Sequence, residues 1–230
     1  MFTSEQMQEN MNKIHHMDCL EFMKQVPDNY FDLVLTDPPF GMSFQSSRRE
    51  IKHEKIANDD TLEWLPELSR QLKRTTKDNS HLYIFCSWHF VDLFKQNLEL
   101  VGFNIKNILI WHKNNHGSGD LFGDYAPQYE MCIFISNGER KLNDGRASNI
   151  IKASKTGNDL HPTQKPVDLI QFLAKKSMQD GDKVFDPFMG SGTTAVACKS
   201  LGLDWCGCEL EADYVAIANK RLEQVQGSLF

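Results

Sequence analysis

The chain lacks any apolar run long enough to cross a bilayer, so a helical membrane span is not expected among its 230 residues. Its first residues, Met1 to Gln6, have no signal-peptide character, which predicts a cytoplasmic protein. C-x-x-C pairs are missing as well. The six cysteines, Cys19, Cys86, Cys132, Cys198, Cys206 and Cys208, are dispersed and sit mostly in apolar stretches. That pattern predicts reduced, buried thiols rather than a disulfide framework or a zinc site. The histidines other than His112 show no H-x-x-x-H ligand spacing, and no metal is expected. An excess of positive charge is also absent: the net charge is −6, which excludes a whole-surface electrostatic grip on nucleic acid. There is no internal repeat and no low-complexity tract.

What is present is a sequence able to build one sizeable core, with 40% hydrophobic and 24% charged residues. Strand and helix signals alternate along its length. Strands are expected near residues 13–17, at 31–36, 81–87, 103–112, 129–136, 182–186 and 204–208. Helices are expected at 19–26, 61–76, 88–101, 167–179, 192–201 and 211–225, with Thr61 as N-cap of the second. No helix separates the strands at 103–112 and 129–136, so those two should run antiparallel. The remaining alternation implies a doubly wound α/β sheet in a single domain, residues 1–230. Three polar stretches, 41–60, 113–128 and 137–160, interrupt it and are longer than plain connections. Two basic concentrations fall in or beside them. Segment 48–55 sets four cations against two anions, and segment 137–165 sets six against three.

Asp37-Pro38-Pro39-Phe40 closes the apolar run Phe31 to Thr36. Two prolines stop the strand and stiffen the turn without supplying an N–H donor. The result is a carboxylate, a carbonyl and a flat ring aimed into one crevice at the carboxyl edge of a sheet. Those groups suit the exocyclic amino group of a nucleobase. A second motif, Asp186-Pro187-Phe188-Met189-Gly190-Ser191-Gly192-Thr193-Thr194, lies between a strand and a helix. Its glycines permit close backbone approach to a ligand, and the helix start offers free N–H groups. Ala195 stands where the third glycine of a dinucleotide fingerprint would be, so a phosphate cradle is not required. Glu209 ends the following strand, where an acid can hold a ribose diol.

Together these segments resemble the S-adenosylmethionine-dependent DNA amino-methyltransferases of the β-class, the adenine-N6/cytosine-N4 family. Thr36 to Phe40 resembles the family's catalytic motif and Phe185 to Thr194 its cofactor loop. His161-Pro162-Thr163-Gln164-Lys165-Pro166 and Asp18-Cys19-Leu20-Glu21 resemble two further segments of that group. The catalytic motif precedes the cofactor loop, the order of the β-class, and the likeness covers about residues 13 to 225.

The resemblance implies a Rossmann-like, circularly permuted fold with a mostly parallel seven-stranded sheet and one antiparallel strand. It implies Asp37, Pro38, Pro39 and Phe40 as catalytic residues. The implied cofactor contacts are Asp18, Cys19, Asp37, Thr163, Lys165, Asp186, Pro187, Phe188, Gly190, Ser191, Gly192, Thr193, Thr194 and Glu209. Double-stranded DNA is the implied partner, with the base flipped out of the duplex. The three polar stretches would read the DNA, with Arg48, Arg49, Lys52, Lys113 and Lys152 as expected contacts. Relatives of this kind often dimerise, which brings a homodimer into consideration. Phe40 departs from the tyrosine more common in adenine-modifying members, keeping a stacking ring without its hydroxyl. The acid at the head of the tetrapeptide favours adenine; cytosine-acting members more often have serine there. RNA or protein amino-methylation, a nicotinamide-dependent oxidoreductase and a non-catalytic DNA-binding module are the competing readings. The oxidoreductase leaves Asp-Pro-Pro-Phe without a role.

Overall fold

The computed structural model of the chain describes residues 1–39, 62–116, 122–154 and 164–225. One eight-stranded sheet runs through it in the order β1-β8-β7-β2-β3-β5-β4-β6. The strands are β1 (Lys13–His16), β2 (Phe31–Thr36), β3 (Thr76–Cys86), β4 (Ile105–His112), β5 (Tyr129–Asn137), β6 (Ile150–Lys152), β7 (Lys183–Asp186) and β8 (Asp204–Glu209). The helices are α1 (Ser4–Glu9), α2 (Cys19–Met23), α3 (Leu65–Thr75), α4 (Val91–Leu100), α5 (Val167–Ser177), α6 (Thr193–Ser200) and α7 (Ala212–Gln224). Among the described residues only β5 runs against its neighbours, β3 and β4. The sheet is therefore mostly parallel with one antiparallel strand, as expected, and the described residues form eight strands where seven were expected.

Side chains alternate between two cores, as a pleated sheet covered on both faces requires, except at the register shifts in β2 and β4. Val34, Leu82, Ile84, Phe185 and Cys206 join α1 to α4 through Met7, Phe22, Leu68, Leu72 and Phe94. Leu33, Leu35, Tyr83, Phe85, Val184 and Trp205 point the other way, onto α5 and α6 through Leu169, Ile170, Leu173, Ala195 and Cys198. The cysteines are all unpaired and buried within these layers. No helix among the described residues is long and apolar enough to cross a membrane.

Two elements escape the sequence pattern. Helix α1 is a single short turn-and-a-half, set by a capping box in which Thr3 and Gln6 satisfy each other's backbone N–H groups. Strand β6 is three residues within a stretch expected to be irregular, held in parallel to β4 by Ile150, Ile151 and Lys152. Helix α3 starts at Leu65 with Pro66 in its first turn, where the missing N–H costs nothing. The expected cap Thr61 lies outside the described residues. Strand β3 begins at Thr76, five residues before the expected His81, and a register shift in its pairing with β2 absorbs the extra length.

Winding direction matters most for function. From β2 the chain builds outward through β3, and from β7 outward through β8, so β2 and β7 are the adjacent strands at which the order reverses. Ligands of such sheets bind at the carboxyl ends flanking this point. Here those ends are Asp37 and Asp186.

Candidate active site

Asp37 follows β2 directly, and Pro38 behind it is buried. The Asp37 side chain is 21% exposed and forms an ion pair with Lys165, whose own side chain is 4% exposed. Lys165 stands just ahead of α5 and also lies 3.1 Å from Glu130 of β5. Glu130 in turn pairs with Lys113 at 2.6 Å. Two acids and two bases thus alternate along one line, from the tip of β2 to the end of β4. The Lys165 ammonium rests 5.1 Å above the Phe85 ring and that of Lys113 5.1 Å from the Trp111 ring.

Burial dominates the electrostatics. It pushes the Asp37 carboxyl up to about 6, against the attraction of Lys165 and with the repulsion of Glu130. Lys165 moves to about 12: burial opposes its charge, but two carboxylates outweigh it. The asymmetry is physical, because one ammonium is shared between two acids. Asp37 therefore keeps a carboxylate that is unusually basic. Its Oδ2 faces Lys165, while its buried Oδ1 has no hydrogen-bond partner among the described residues. A buried acceptor without a donor is costly unless a ligand supplies one.

The glycine loop is built by packing as much as by ligand demands. Gly192 has φ +84°, and a Cβ there would sit 2.6 Å from the Cβ of Ala218 on α7. Gly207 of β8 is needed too, since a Cβ would lie 2.5 Å from the Asp186 carbonyl oxygen. Arg221 of α7 donates to the Ser191 carbonyl at 2.5 Å and to its hydroxyl at 3.1 Å. Asp186 accepts from the Phe188 N–H at 3.1 Å. Burial pushes its carboxyl to about 7, against the pull of Thr194 and that N–H. Thr193 and Thr194 open α6, whose N-cap Gly192 offers no side-chain cap. Pro187 is buried, and Phe188 packs on Trp64 with ring centroids 5.5 Å apart.

Glu209 accepts from the N–H of Gly190 at 2.7 Å and of Glu211 at 2.9 Å. Those bonds use part of a carboxylate's acceptor capacity and leave room for a diol. On the far side of β8, Asp18 follows β1 and caps α2 through the N–H groups of Leu20 and Glu21 at 2.9 and 3.1 Å. Cys19 beside it is buried, and burial raises its thiol well above the usual range. The structure thus brings Asp18, Cys19, Asp37, Lys165, the Asp186 to Thr194 loop and Glu209 to one sheet edge. Phe40, Thr163, Arg48, Arg49 and Lys52 lie outside the described residues.

The loops divide by edge. Segment 113–128 joins the end of β4 to the start of β5, at the Asp37 edge. Segment 137–149 starts instead at the opposite edge, because β5 runs backwards. There Arg140 pairs with Asp182 and donates to the Ser177 carbonyl at 2.9 Å, anchoring the loop to the scaffold. Only its return along β6 brings Lys152 back to the site edge. Lys152 is exposed. Lys113 is not poised as expected for DNA: its side chain is 15% exposed and committed to Glu130. Trp111 is buried and donates its indole N–H to the Ala153 carbonyl, a packing role. His112 closes β4 and His116 follows in the loop, so their four-residue spacing is not a helical face.

Sequence reasoning missed Glu130, Gly207 and Arg221. Glu130 carried a usable signal: a charged residue at the start of the one antiparallel strand lands at the carboxyl edge of its parallel neighbours. Arg221 carried none, since its partner is a loop 30 residues earlier.

A Rossmann-like sheet with an acid-Pro-Pro turn and a glycine loop flanking its switch point defines an α/β protein built to bind a nucleotide-type ligand at that edge. The DNA methylase family model N6_N4_Mtase matches residues 31–155 and 148–220. The chain belongs to this N6/N4 family of S-adenosylmethionine-dependent DNA amino-methyltransferases. It is 30% identical over 219 residues to the provisionally named methylase YubD of Escherichia coli (strain K12), covering 95% of this chain and 93% of that one. It is 28% identical over 244 residues to the type II methyltransferase M2.DpnII of Streptococcus pneumoniae, with 93% and 91% covered. The crystal structure of the M1.HpyAVI–SAM complex superposes with a TM-score of 0.70 at 27% identity, covering 91% of this chain and 98% of that one. The family's cofactor is S-adenosylmethionine.

Proposed function

We propose that the protein methylates the N6 amino group of adenine in duplex DNA after base flipping. The observation that carries this reading is Asp37 Oδ1, a buried acceptor without a hydrogen-bond partner among the described residues, beside the stiff Pro38-Pro39 turn. An aromatic amine is a poor nucleophile because its lone pair is delocalised into the ring. Asp37 Oδ1 and the Pro38 carbonyl each accept one amino hydrogen. The nitrogen is drawn toward tetrahedral geometry, and the positive charge growing on it is stabilised. Holding the amine in line with the methyl donor supplies the rest of the rate, as positioning.

The donor set also fits the cofactor. Helix α6 presents uncapped N–H groups, and Glu209 retains acceptor capacity at the tip of β8. In this reading Glu209 holds the ribose diol, and Asp18, Cys19, Asp186, Pro187, Phe188 and the loop from Gly190 to Thr194 line the cofactor. The resemblance assigns Thr163 to its methionine end, and Lys165 bridges to Asp37. When bound, S-adenosylmethionine supplies an electrophilic methyl on a sulfonium. The protein's residues orient both partners and exclude water.

DNA would be met at the same edge. Trp88 is 59% exposed, stacked on His89 with ring centroids 3.8 Å apart, and Phe122, Tyr125 and Tyr129 are exposed nearby. Segments 41–60 and 113–128 and the return of segment 137–160 through Lys152 would carry recognition. Phe40 would stack on the flipped base. Adenine rather than cytosine rests on the acid that heads the tetrapeptide.

Modified-base sequencing of genomic DNA from cells expressing the protein tests this. N6-methyladenine at a recurrent site is the expected result. N4-methylcytosine would overturn the base assignment, and an unmodified genome would overturn the activity.

A further inference from the structure

The line Asp37–Lys165–Glu130–Lys113 holds more charge than the amino-group clamp needs. Asp37 Oδ1 and the Pro38 carbonyl suffice to accept the two amino hydrogens. Lys165, pressed against it, is electrostatically adverse, because positive charge grows on the amino nitrogen during transfer. An uncompensated ammonium a few ångströms from that nitrogen would raise the barrier by an amount on the order of kcal/mol even at an effective dielectric of about 20. Something must offset it, and Glu130 is in the right place. Its carboxylate stands 3.1 Å from the Lys165 ammonium, and Lys113 closes the line at 2.6 Å.

We propose that Glu130 is a positioning residue for methyl transfer: by sharing Lys165 with Asp37 it fixes that ammonium, cancels its adverse charge and keeps the Asp37 carboxylate a strong acceptor, while Lys113 trims the effect. This rests on the reading of Asp37 as the amino-group acceptor. Three elements supply the parts. Asp37 follows β2, Glu130 opens β5, and Lys113 follows β4, so the antiparallel strand is what inserts the second acid. Other groups facing Asp37 are Asp186 at the end of β7, Cys86 of β3 and Cys132 of β5. The thiols are held protonated by burial. Asp186 lies across the switch point, so its own ionisation, near 7, adds to the negative charge felt at Asp37.

The signs are opposite for the two outer residues. Glu130 repels the Asp37 negative charge and raises its carboxyl, whereas Lys113 attracts it and lowers it. Transfer needs Asp37 ionised, so its titration sets the acid limb of the rate. Removing the Glu130 charge in Glu130→Gln should move that limb to lower pH. Removing the Lys113 charge in Lys113→Gln should move it to higher pH. Each displacement is expected on the order of one pH unit. Glu130→Gln should also lower the plateau rate about 10-fold, because Lys165 is no longer offset.

Single-turnover methyl transfer onto duplex DNA, measured from pH 5 to 9 for wild type and both variants, reads these effects. A 13C carboxyl titration of Asp37 in the full-length protein without DNA reads the same displacements independently of turnover. Opposite shifts in that titration support the network. Profiles that superimpose on wild type after scaling overturn it and leave Glu130 a purely structural ion-pair partner. If Glu130→Gln does not fold, the upward shift of Lys113→Gln decides alone, and an unshifted limb overturns the proposal. Absence of transfer by wild type, with the titration shifts intact, would instead strike the functional reading.

Discussion

Lys165 and Asp37, 128 residues apart in sequence, meet as a part-buried ion pair at the switch point of the sheet. The contact joins the tip of β2 to the segment ahead of α5. It therefore ties the acid-Pro-Pro turn to the second half of the chain, where the glycine loop lies.

Removal of the ammonium should cost stability in a pH-dependent way. In Lys165→Met two half-buried carboxylates, Asp37 and Glu130, lose their common buried partner. Breaking a fully buried pair from one side costs roughly 3–5 kcal/mol, and the 21% and 24% exposure of these side chains puts the cost below that range. The Asp37 carboxyl is already raised to about 6 and rises further without its cation. Below that value it is protonated and needs no partner. Urea unfolding should therefore show a large deficit at pH 8 that shrinks toward pH 5. An equal deficit at both values would show that lost packing, not charge, is responsible.

Asp186 predicts the reverse kind of change. Its folded carboxyl is raised to about 7 by burial. A group raised on folding contributes stability below its unfolded value and loses that contribution as pH rises through its folded value. Asp186→Asn should therefore raise the melting temperature at pH 8 and leave it nearly unchanged at pH 4. The amide oxygen can still accept the Phe188 N–H. Cofactor-induced stabilisation should fall in the same variant, a trade of function for stability. A lower melting temperature at pH 8 would refute the assignment.

Gly192→Ala tests whether the glycine loop is held by α7. The left-handed backbone costs about 1–2 kcal/mol for an L residue, and the Cβ meets Ala218 at 2.6 Å. Ala218→Gly should recover the steric part but not the backbone part. The double variant should thus lie between Gly192→Ala and wild type in thermal unfolding. No recovery would mean that the clash is relieved elsewhere.

Arg221→Lys should weaken cofactor binding more than it weakens the fold. Arg221 Nη1 contacts both the carbonyl and the hydroxyl of Ser191, with the Thr193 hydroxyl at 3.4 Å, and the planar guanidinium fixes that nitrogen more rigidly than the flexible stem of lysine would fix an ammonium. Calorimetric titration with S-adenosylhomocysteine should show several-fold weaker binding at nearly unchanged melting temperature. Unchanged affinity would make the grip incidental to the loop.

The sequence was most legible where local chemistry dictates structure. The strand at 31–36 is a continuous apolar run halted by two prolines, and the structure ends β2 at Thr36. The glycine turn and the acid at the tip of β8 likewise follow from neighbouring residues. What escaped depends on neighbours distant in the chain. Strand β6 exists only because β4 offers it an edge, and three residues carry no periodicity. Gly207 is fixed by the carbonyl of Asp186 on the next strand. Lys113 looked like a free cation until β5 placed Glu130 beside it. Segment 137–160 was expected to help read DNA, but the reversed direction of β5 starts it at the opposite edge and only β6 returns it to the site.

The most direct test of the account is nucleoside mass spectrometry of duplex DNA after incubation with S-adenosylmethionine and either wild type or Asp37→Asn. The account predicts N6-methyladenine with wild type. It predicts a fall of roughly 100- to 1,000-fold with the variant, whose amide keeps the shape but loses the charge that stabilises the growing cation. Equal product from both proteins would contradict the account.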